Sequence, residues 1–116
     1  MKVLVAGPGA FGVKHIEALK QIDGVEIATL AGGDTETGKA LCETYGIPHW
    51  APDLTTALKD TKEQAAILAT PTPVHASQAI ECLEAGLHVE VEIPMADHLA
   101  DAECLAATAE RTGLVA

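Results

Sequence analysis

The stretch Val3-Leu4-Val5-Ala6-Gly7-Pro8-Gly9-Ala10-Phe11-Gly12 decides the fold of this chain. It opens with an apolar, valine-rich run, which predicts a buried strand. The glycines that follow have the spacing GxGxxG, and they lie directly after the strand and at the opening of a helical pattern, which is the context the motif requires. The stretch therefore predicts a strand, a phosphate-binding loop and the beginning of a helix.

Each glycine of this loop has its own expected task. Gly7 permits a tight turn, Gly9 leaves room for a pyrophosphate against the backbone, and Gly12 lets the helix and the strand pack closely. An alternative is that glycines at such a turn serve the backbone geometry alone.

Phosphate is expected to be bound here by backbone donors. The N–H groups of Ala10 and Phe11 lie at the opening of the predicted helix, where free donors and the helix dipole favour an anion. Pro8 has no N–H group, so it can shape the loop but cannot donate to a phosphate.

Outward from this stretch, short runs rich in Val, Ile and Leu alternate with segments of helical period, a pattern typical of βαβ units on a parallel sheet. Strands are predicted over 3–6, 25–30, 48–50, 66–69 and 88–91. Helices are predicted over 13–20, 35–45 and 54–59. A fourth helix is predicted to begin at Pro73 with Thr72 as its N-cap, and a fifth is predicted to run to residue 109 with Asp97 as its N-cap. The predicted fold class is therefore α/β, a doubly wound parallel-sheet Rossmann domain over residues 1–116, with residues 113–116 beginning a sixth strand.

The composition indicates one globular domain without nucleic-acid or membrane partners. A length of 116 residues with 48% hydrophobic residues suits a single domain. The formal charge of −10 repels phosphate backbones and anionic lipid headgroups. No apolar run approaches a membrane span or a secretory signal, and Cys42, Cys82 and Cys104 form no CxxC pair. We expect a cytoplasmic protein without a metal site.

The residue after the second strand indicates which dinucleotide binds. Asp34 lies about 20 residues past the glycines, where a carboxylate accepts a hydrogen bond from the ribose 2′-hydroxyl of NAD. It would repel the 2′-phosphate of NADP, and no Arg or Lys occurs between Leu30 and Glu36 to offset that repulsion. The expected cofactor is NAD or NADP, with NAD favoured. Alternatively, Asp34 is a turn residue that makes local hydrogen bonds.

Three segments taken together resemble one family. They are the glycine loop, Thr70-Pro71-Thr72-Pro73-Val74-His75 and Glu92-Ile93-Pro94, in that order along the chain. The chain is similar to the amino-terminal half of members of the glucose-fructose oxidoreductase and inositol dehydrogenase family, Gfo/Idh/MocA. The resemblance implies a second α/β domain after residue 116, so residues 1–116 are expected to be a cofactor domain truncated before it.

The resemblance also implies site residues. In that family the segment after strand four borders the cofactor, and the segment after strand five lies beside the nicotinamide. Carried over to this chain, the cofactor-binding residues are Thr70, Pro71, His75, Glu92 and Pro94. The family lysine falls at Ile93, which has neither a donor nor a charge, so the catalytic residue stays unidentified.

The implied activity is that of an NAD(P)-dependent dehydrogenase that transfers hydride from a hydroxyl or lactol carbon of a small-molecule substrate. The stretch 88–97 resembles the branch that oxidises a carboxy-hydroxymuconate semialdehyde as its cyclic hemiacetal. A base from the second domain would accept the proton, and residues 1–116 alone are expected to be inactive. The alternatives are a sugar or inositol dehydrogenase of the same family and a non-catalytic NAD(P)-sensing module, in which Ile93 reflects lost chemistry.

Several side chains allow more than one interpretation. His75 lies at the carboxyl end of a strand, where ligands of open sheets bind, or else it is a buried histidine satisfied by a backbone carbonyl. Glu90 and Glu92 are expected on one face of their strand, either as a solvated face or as a catalytic carboxylate pair. The remaining histidines lack metal-ligand spacing and are expected to be structural or solvated: His15, His49, His88 and His98. Without a neighbour, the fifth strand would be a sheet edge, which predicts a homo-oligomer.

Overall fold

A computed structural model describes residues 1–116 as a five-stranded sheet with helices on both faces. The strands are β1 (Lys2–Ala6), β2 (Glu26–Ala31), β3 (His49–Ala51), β4 (Ala65–Leu68) and β5 (His88–Val91). The helices are α1 (Ala10–Leu19), α2 (Thr35–Tyr45), α3 (Leu54–Leu58), α4 (His75–Glu84) and α5 (Leu99–Thr112). None of these helices has the length and apolar character that a membrane span requires.

The strands are all parallel, in the order β3-β2-β1-β4-β5. The chain winds outward from β1 to β3 and then returns to place β4 on the other side of β1. The connections that leave the carboxyl ends of β1 and β4 therefore diverge, and such a reversal opens a crevice where open α/β sheets bind ligands. The predicted doubly wound parallel sheet is confirmed.

The sheet is buried between two apolar layers, because side chains of a strand alternate between its faces. Leu4 of β1 faces one layer, where Leu83 of α4 and Leu105 of α5 are fully buried. Val5 faces the opposite layer and packs in the cluster that contains Ile16 of α1. This arrangement fixes α1 on one face and α4 on the other, with the amino-terminal ends of both helices at the carboxyl edge of the sheet.

Two predicted helix caps are wrong. Thr72 does not cap α4, because Thr72–Val74 forms a 3₁₀ turn around Pro73 and the α-helix begins only at His75. Asp97 does not cap α5, because the first hydrogen bonds of that helix run to the carbonyl oxygen of His98, which takes the cap position without a side-chain bond. In both cases the helix begins later than the capping pattern predicts.

β5 pairs with β4 on one side, and the residues after α5 approach its other side. The N–H group of Val89 donates to the carbonyl oxygen of Val115 at 2.9 Å, and the N–H group of Val115 donates to His88 Nδ1 at 3.0 Å. The sheet nevertheless has five strands, so the expected sixth strand is not formed within residues 113–116. The homo-oligomer stays a prediction.

Candidate dinucleotide-binding site

The glycine loop lies at the carboxyl edge of the sheet, between the end of β1 and the beginning of α1. Gly7 donates its N–H to the carbonyl oxygen of Ala31 at 2.9 Å and has a φ of 103°. A Cβ at this position would lie 2.3 Å from the carbonyl oxygen of Ala69. The positive φ and the close approach together require glycine at the turn.

Gly9 and Gly12 differ in the space around them. A Cβ on Gly12 would lie 1.7 Å from the carbonyl oxygen of Gly7, so α1 can approach the loop only with glycine here. A Cβ on Gly9 would have no heavy atom within 4 Å, and the φ of −70° at Gly9 suits any residue. The turn and the close packing expected from the sequence are present, and Gly9 is the open position of the loop.

The beginning of α1 carries N–H groups outside the helical hydrogen-bond ladder. The first bond of the helix runs from the N–H of Val13 to the carbonyl oxygen of Gly9 at 3.0 Å, so the N–H groups of Ala10 and Phe11 precede it. Both residues are exposed, and the ammonium of Lys14 lies 5.5 Å from the centre of the Phe11 ring. An anion at this helix end would meet free donors and the positive end of the dipole.

A cleft of about 250 Å³ opens beside the loop. The residues around it follow the carboxyl ends of β1, β2, β3 and β4 and include Gly7, Pro8, Gly32, Gly33, Thr70 and Pro71. A larger cavity of about 450 Å³ lies around β2, β3 and α3 and contains no residue of the glycine loop. The smaller cleft is the better candidate, because backbone donors and a helix end, not volume, recognise phosphate.

Asp34 caps α2 at the same edge of the sheet. Its Oδ1 accepts a hydrogen bond from the N–H of Thr37 at 2.9 Å, and its Oδ2 accepts one from the Thr37 hydroxyl at 3.0 Å. These bonds, the backbone one first, hold the pKa of the Asp34 carboxyl below its ordinary value. The local bonds expected of a turn residue are therefore present. A carboxylate still has lone pairs for a ribose hydroxyl, and that contact stays a prediction.

The loop after β4 provides Thr70 and Pro71 to the wall of the cleft. The Thr70 hydroxyl donates to Oε1 of Gln78 at 2.6 Å, and Gln78 also lines the cleft. The sequence does not predict Gln78 as a residue of the cleft, because a glutamine on a helix reaches the cleft only when α4 packs behind the loop after β4.

His75 is buried behind the cleft and is only 2% exposed. Its Nε2 lies 2.6 Å from the carbonyl oxygen of Thr70, and its Nδ1 lies 2.8 Å from the carbonyl oxygen of Pro94. Both ring nitrogens are thus engaged by the backbone, which favours the structural alternative over direct contact with a ligand. The Ile93–Pro94 peptide bond is cis, and the Ile93 side chain is 87% exposed.

Glu92 follows β5 and pairs with a residue of α1. His15 Nε2 lies 2.5 Å from Glu92 Oε1, and one ligand atom each from His15, Glu90 and Glu92 lie within 4.8 Å of one another. The predicted common face of Glu90 and Glu92 is confirmed. Burial raises the pKa of the Glu90 carboxyl; the nearby His15 opposes this shift and the charge of Glu92 adds to it. The set resembles metal ligands, but the direct bond between His15 and Glu92 already engages two of its atoms.

A family model described as an oxidoreductase family with an NAD-binding Rossmann fold, GFO_IDH_MocA, matches residues 1–116. This chain belongs to that family. The family resemblance of the glycine loop and of the segments after β4 and β5 is therefore confirmed. The expected nucleotide is confirmed too, because the family's Rossmann fold is described as NAD-binding. The position of Ile93, where the resemblance places a lysine, is a departure within this Gfo/Idh/MocA chain.

Named relatives of this Gfo/Idh/MocA chain are dehydrogenases. It is 48% identical over 115 residues to a 4-carboxy-2-hydroxymuconate-6-semialdehyde dehydrogenase of a Sphingobium species, covering 99% of the chain and 36% of the relative. It is 32% identical to a D-apiose dehydrogenase of Paraburkholderia graminis, covering 97% of the chain and 30% of the relative.

Among solved structures, the WlbA dehydrogenase of Chromobacterium violaceum, in complex with NADH and UDP-GlcNAcA, matches with a TM-score of 0.91 and 32% identity. The match covers 98% of this chain and 33% of that structure. The chain spans about a third of the length of these relatives.

The sequence did not predict His15 as a residue of this site, because its lack of metal-ligand spacing indicates only a structural or solvated histidine. Its spacing to Glu92 along the chain carries no signal. The two residues meet because α1 reaches across β4 to the end of β5, which depends on the strand order of the folded sheet.

Proposed function

We propose that this chain binds NAD(H) at the cleft beside the glycine loop. The proposal is carried by the open space at Gly9, which adjoins the free N–H groups at the beginning of α1. Backbone donors at a helix N-terminus bind phosphate without a basic side chain. This matters because the net charge of −10 repels an anionic cofactor at long range. Capture of the pyrophosphate is assigned to Gly7, Gly9, Ala10, Phe11 and Gly12.

Asp34 is proposed to select NAD over NADP. Its carboxylate is exposed at the end of β2, beside the cleft-lining Gly33, and hydrogen bonds from Thr37 favour its charged form. A carboxylate there accepts a hydrogen bond from a ribose hydroxyl and repels a phosphate on the same oxygen.

The nicotinamide end is proposed to be bordered by the segments after β4 and β5, through Thr70, Pro71, His75, Glu92 and Pro94. Bound NAD supplies a hydride acceptor. Ile93 has no group that takes or gives a proton. The proton of a substrate hydroxyl therefore requires another acceptor, which we assign to the second domain expected in the longer protein.

For the whole protein we propose hydride transfer from a hydroxyl or lactol carbon of a small-molecule substrate. The name of the 48% identical relative favours a carboxy-hydroxymuconate semialdehyde as its hemiacetal. A sugar or inositol is the alternative substrate, in keeping with the names of more distant relatives. Residues 1–116 are proposed to be one cofactor domain that binds without turnover. Homo-oligomeric assembly and a cytoplasmic location stay predictions.

A second candidate function is a non-catalytic module that senses the nicotinamide redox state. The exposed apolar side chain of Ile93, at the position where the resemblance places a lysine, favours it. The two candidates separate in a protein that includes the second domain: an enzyme reduces NAD to NADH in the presence of the hemiacetal substrate. A sensor binds NADH and NAD with unequal affinity and converts neither into the other.

The cofactor proposal is tested by titrating the 116-residue chain with NADH and with NADPH. We expect NADH to bind at least tenfold more tightly, because a carboxylate beside a 2′-phosphate costs more than 1 kcal/mol, on the order of a tenfold change in affinity. Asp34→Ser removes the charge but provides a hydroxyl that can cap α2. It should therefore reduce the preference for NADH over NADPH while leaving the melting temperature near that of the wild type. Equal affinity for both cofactors in wild type and variant would overturn the role of Asp34. Absence of binding by either would overturn the site.

A further inference from the structure

The segment Glu92-Ile93-Pro94 is held from two sides by histidines of different helices. His15 of α1 bonds the Glu92 carboxylate at 2.5 Å, and His75 of α4 lies 2.8 Å from the Pro94 carbonyl oxygen. Ile93, between these contacts, projects its side chain into solvent. We propose that His15 and His75 are positioning residues that set the place of this segment against a nicotinamide ring bound at the cleft. The proposal rests on the NAD(H) site proposed above.

His75 joins the two loops that leave the carboxyl ends of β4 and β5. One ring nitrogen reaches the carbonyl oxygen of Thr70 at 2.6 Å and the other reaches that of Pro94, with the ring almost fully buried between them. Carbonyl oxygens only accept hydrogen bonds, so the ring nitrogen is the donor wherever such a bond is made. The sheet itself gives this region little support, because the last ladder bond beyond β5 is the long contact of 3.3 Å from the Glu92 N–H to Leu68. Beyond this backbone bond, the His75 side chain joins the two loops.

His15 ties the same segment to the helix that begins at the glycine loop. The His15 and Glu92 side chains are 25% and 28% exposed, so their hydrogen bond is partly shielded from water. Through this bond, any movement of the segment is opposed by α1, whose amino-terminal end is the proposed phosphate site. His15 thus connects the segment to the helix that begins at the proposed pyrophosphate site, and His75 connects it to the loop after β4.

The chemistry that this segment presents is apolar. Ile93 is 87% exposed and its side chain offers no hydrogen bond, and Met95, two residues further along, is also exposed. A held, exposed isoleucine can cover the face of a nicotinamide ring, and burial of that apolar surface favours the bound ring. This function needs a fixed position of the segment, which is what the histidines provide.

The test compares two ligands on the 116-residue chain. ADP-ribose carries the adenosine and the diphosphate of NADH but lacks the nicotinamide ring, so the ratio of its Kd to that of NADH reports the nicotinamide end alone. His75→Phe keeps a planar ring and removes both hydrogen bonds. His15→Leu removes the bond to Glu92, whereas His15→Gln keeps a donor. His49→Gln, at an exposed histidine of β3, is the matched control.

We expect His75→Phe to lower the ratio of the ADP-ribose Kd to the NADH Kd about tenfold, because two buried hydrogen bonds are lost. His15→Leu should lower it about threefold, because it loses one partly exposed hydrogen bond. The Kd of ADP-ribose should stay within about twofold of the wild type, and His15→Gln should restore the ratio. The fluorescence of bound NADH, which arises from the nicotinamide ring, should change in His75→Phe and His15→Leu and stay unchanged in His49→Gln.

Equal losses for NADH and ADP-ribose would show a merely structural role and overturn the proposal, as would an unchanged ratio in all variants. If His75→Phe does not fold, the two variants of the partly buried His15 and the shift of the Ile93 methyl resonance on addition of NADH test the proposal instead. Failure of the wild type to bind either ligand would instead refute the proposed function, and the positioning role with it.

Discussion

Adding a single methyl group at Gly9 tests whether the glycine loop binds a pyrophosphate. Gly9→Ala places a Cβ where the folded chain has no heavy atom within 4 Å, at a φ of −70°. The fold itself should therefore accept the substitution. A pyrophosphate against this backbone needs the same space, so the cost should fall on the ligand alone.

The expected magnitudes follow from these two facts. Alanine is a weaker N-cap than glycine, but it restricts the unfolded chain, and the two effects oppose each other; the unfolding free energy should change by less than about 1 kcal/mol. That corresponds to a shift of roughly 4 °C or less in Tm for a domain of this size. In the complex, displacing the pyrophosphate from one charge-assisted bond costs about 1.5 to 3 kcal/mol, so the Kd for NADH should rise about 10- to 100-fold.

Two glycine variants complete the assay, which combines thermal unfolding with NADH titration. Gly12→Ala forces a Cβ to within 1.7 Å of a carbonyl oxygen and should destabilise the fold by about 3 kcal/mol or more. Gly46→Ala puts alanine at a φ of 66° far from the cleft, so it should lose about 1 kcal/mol of stability with unchanged affinity. Wild-type affinity in Gly9→Ala would refute the assignment of the loop, and a large loss of stability there would refute the steric reasoning.

Three further predictions concern titration and thiol reactivity. Burial raises the pKa of Glu63, but hydrogen bonds from Thr29, Thr61 and the backbone outweigh burial and leave this pKa below its ordinary value. The stability that Glu63 contributes is therefore lost as pH falls through the pKa of the folded state. In urea unfolding between pH 7 and pH 3, Glu63→Gln should be about 1 kcal/mol less stable than the wild type at pH 7, and its unfolding free energy should fall less as the pH is lowered. The pKa of Glu90 is raised, so stability here is lost in the opposite direction, as pH rises through the pKa of the folded state. Glu90→Gln should therefore unfold at a higher urea concentration than the wild type at pH 8 and at the same concentration at pH 3. Of the free cysteines only Cys104 is exposed, so a thiol reagent should label one site per native chain, and labelling of a second would contradict the buried placement of the others.

The sequence alone was sufficient where the signal lies within a few consecutive residues. The strand, the glycine turn and the start of α1 occupy adjacent positions, so their backbone requirements can be read without knowing the rest of the fold. The clashes that a Cβ would meet at Gly7 and Gly12 bear out two of these requirements in atomic terms. Helix starts were less predictable, as with Thr72, because a proline-containing 3₁₀ turn competes with a side-chain cap for the same backbone groups.

The long-range contacts of the site depended on the tertiary structure. His15 and Glu92 are 77 positions apart, and they meet only because β4 and β5 add to the sheet beside β1 and beneath α1. The double engagement of His75 likewise requires the loops after β4 and β5 to lie on either side of one ring. Local patterning determined the glycine turn between β1 and α1, because turns and helix ends are set by neighbouring residues. The packing of helices across the sheet decided which side chains hold the segment after β5, because strand order is not encoded in any local spacing.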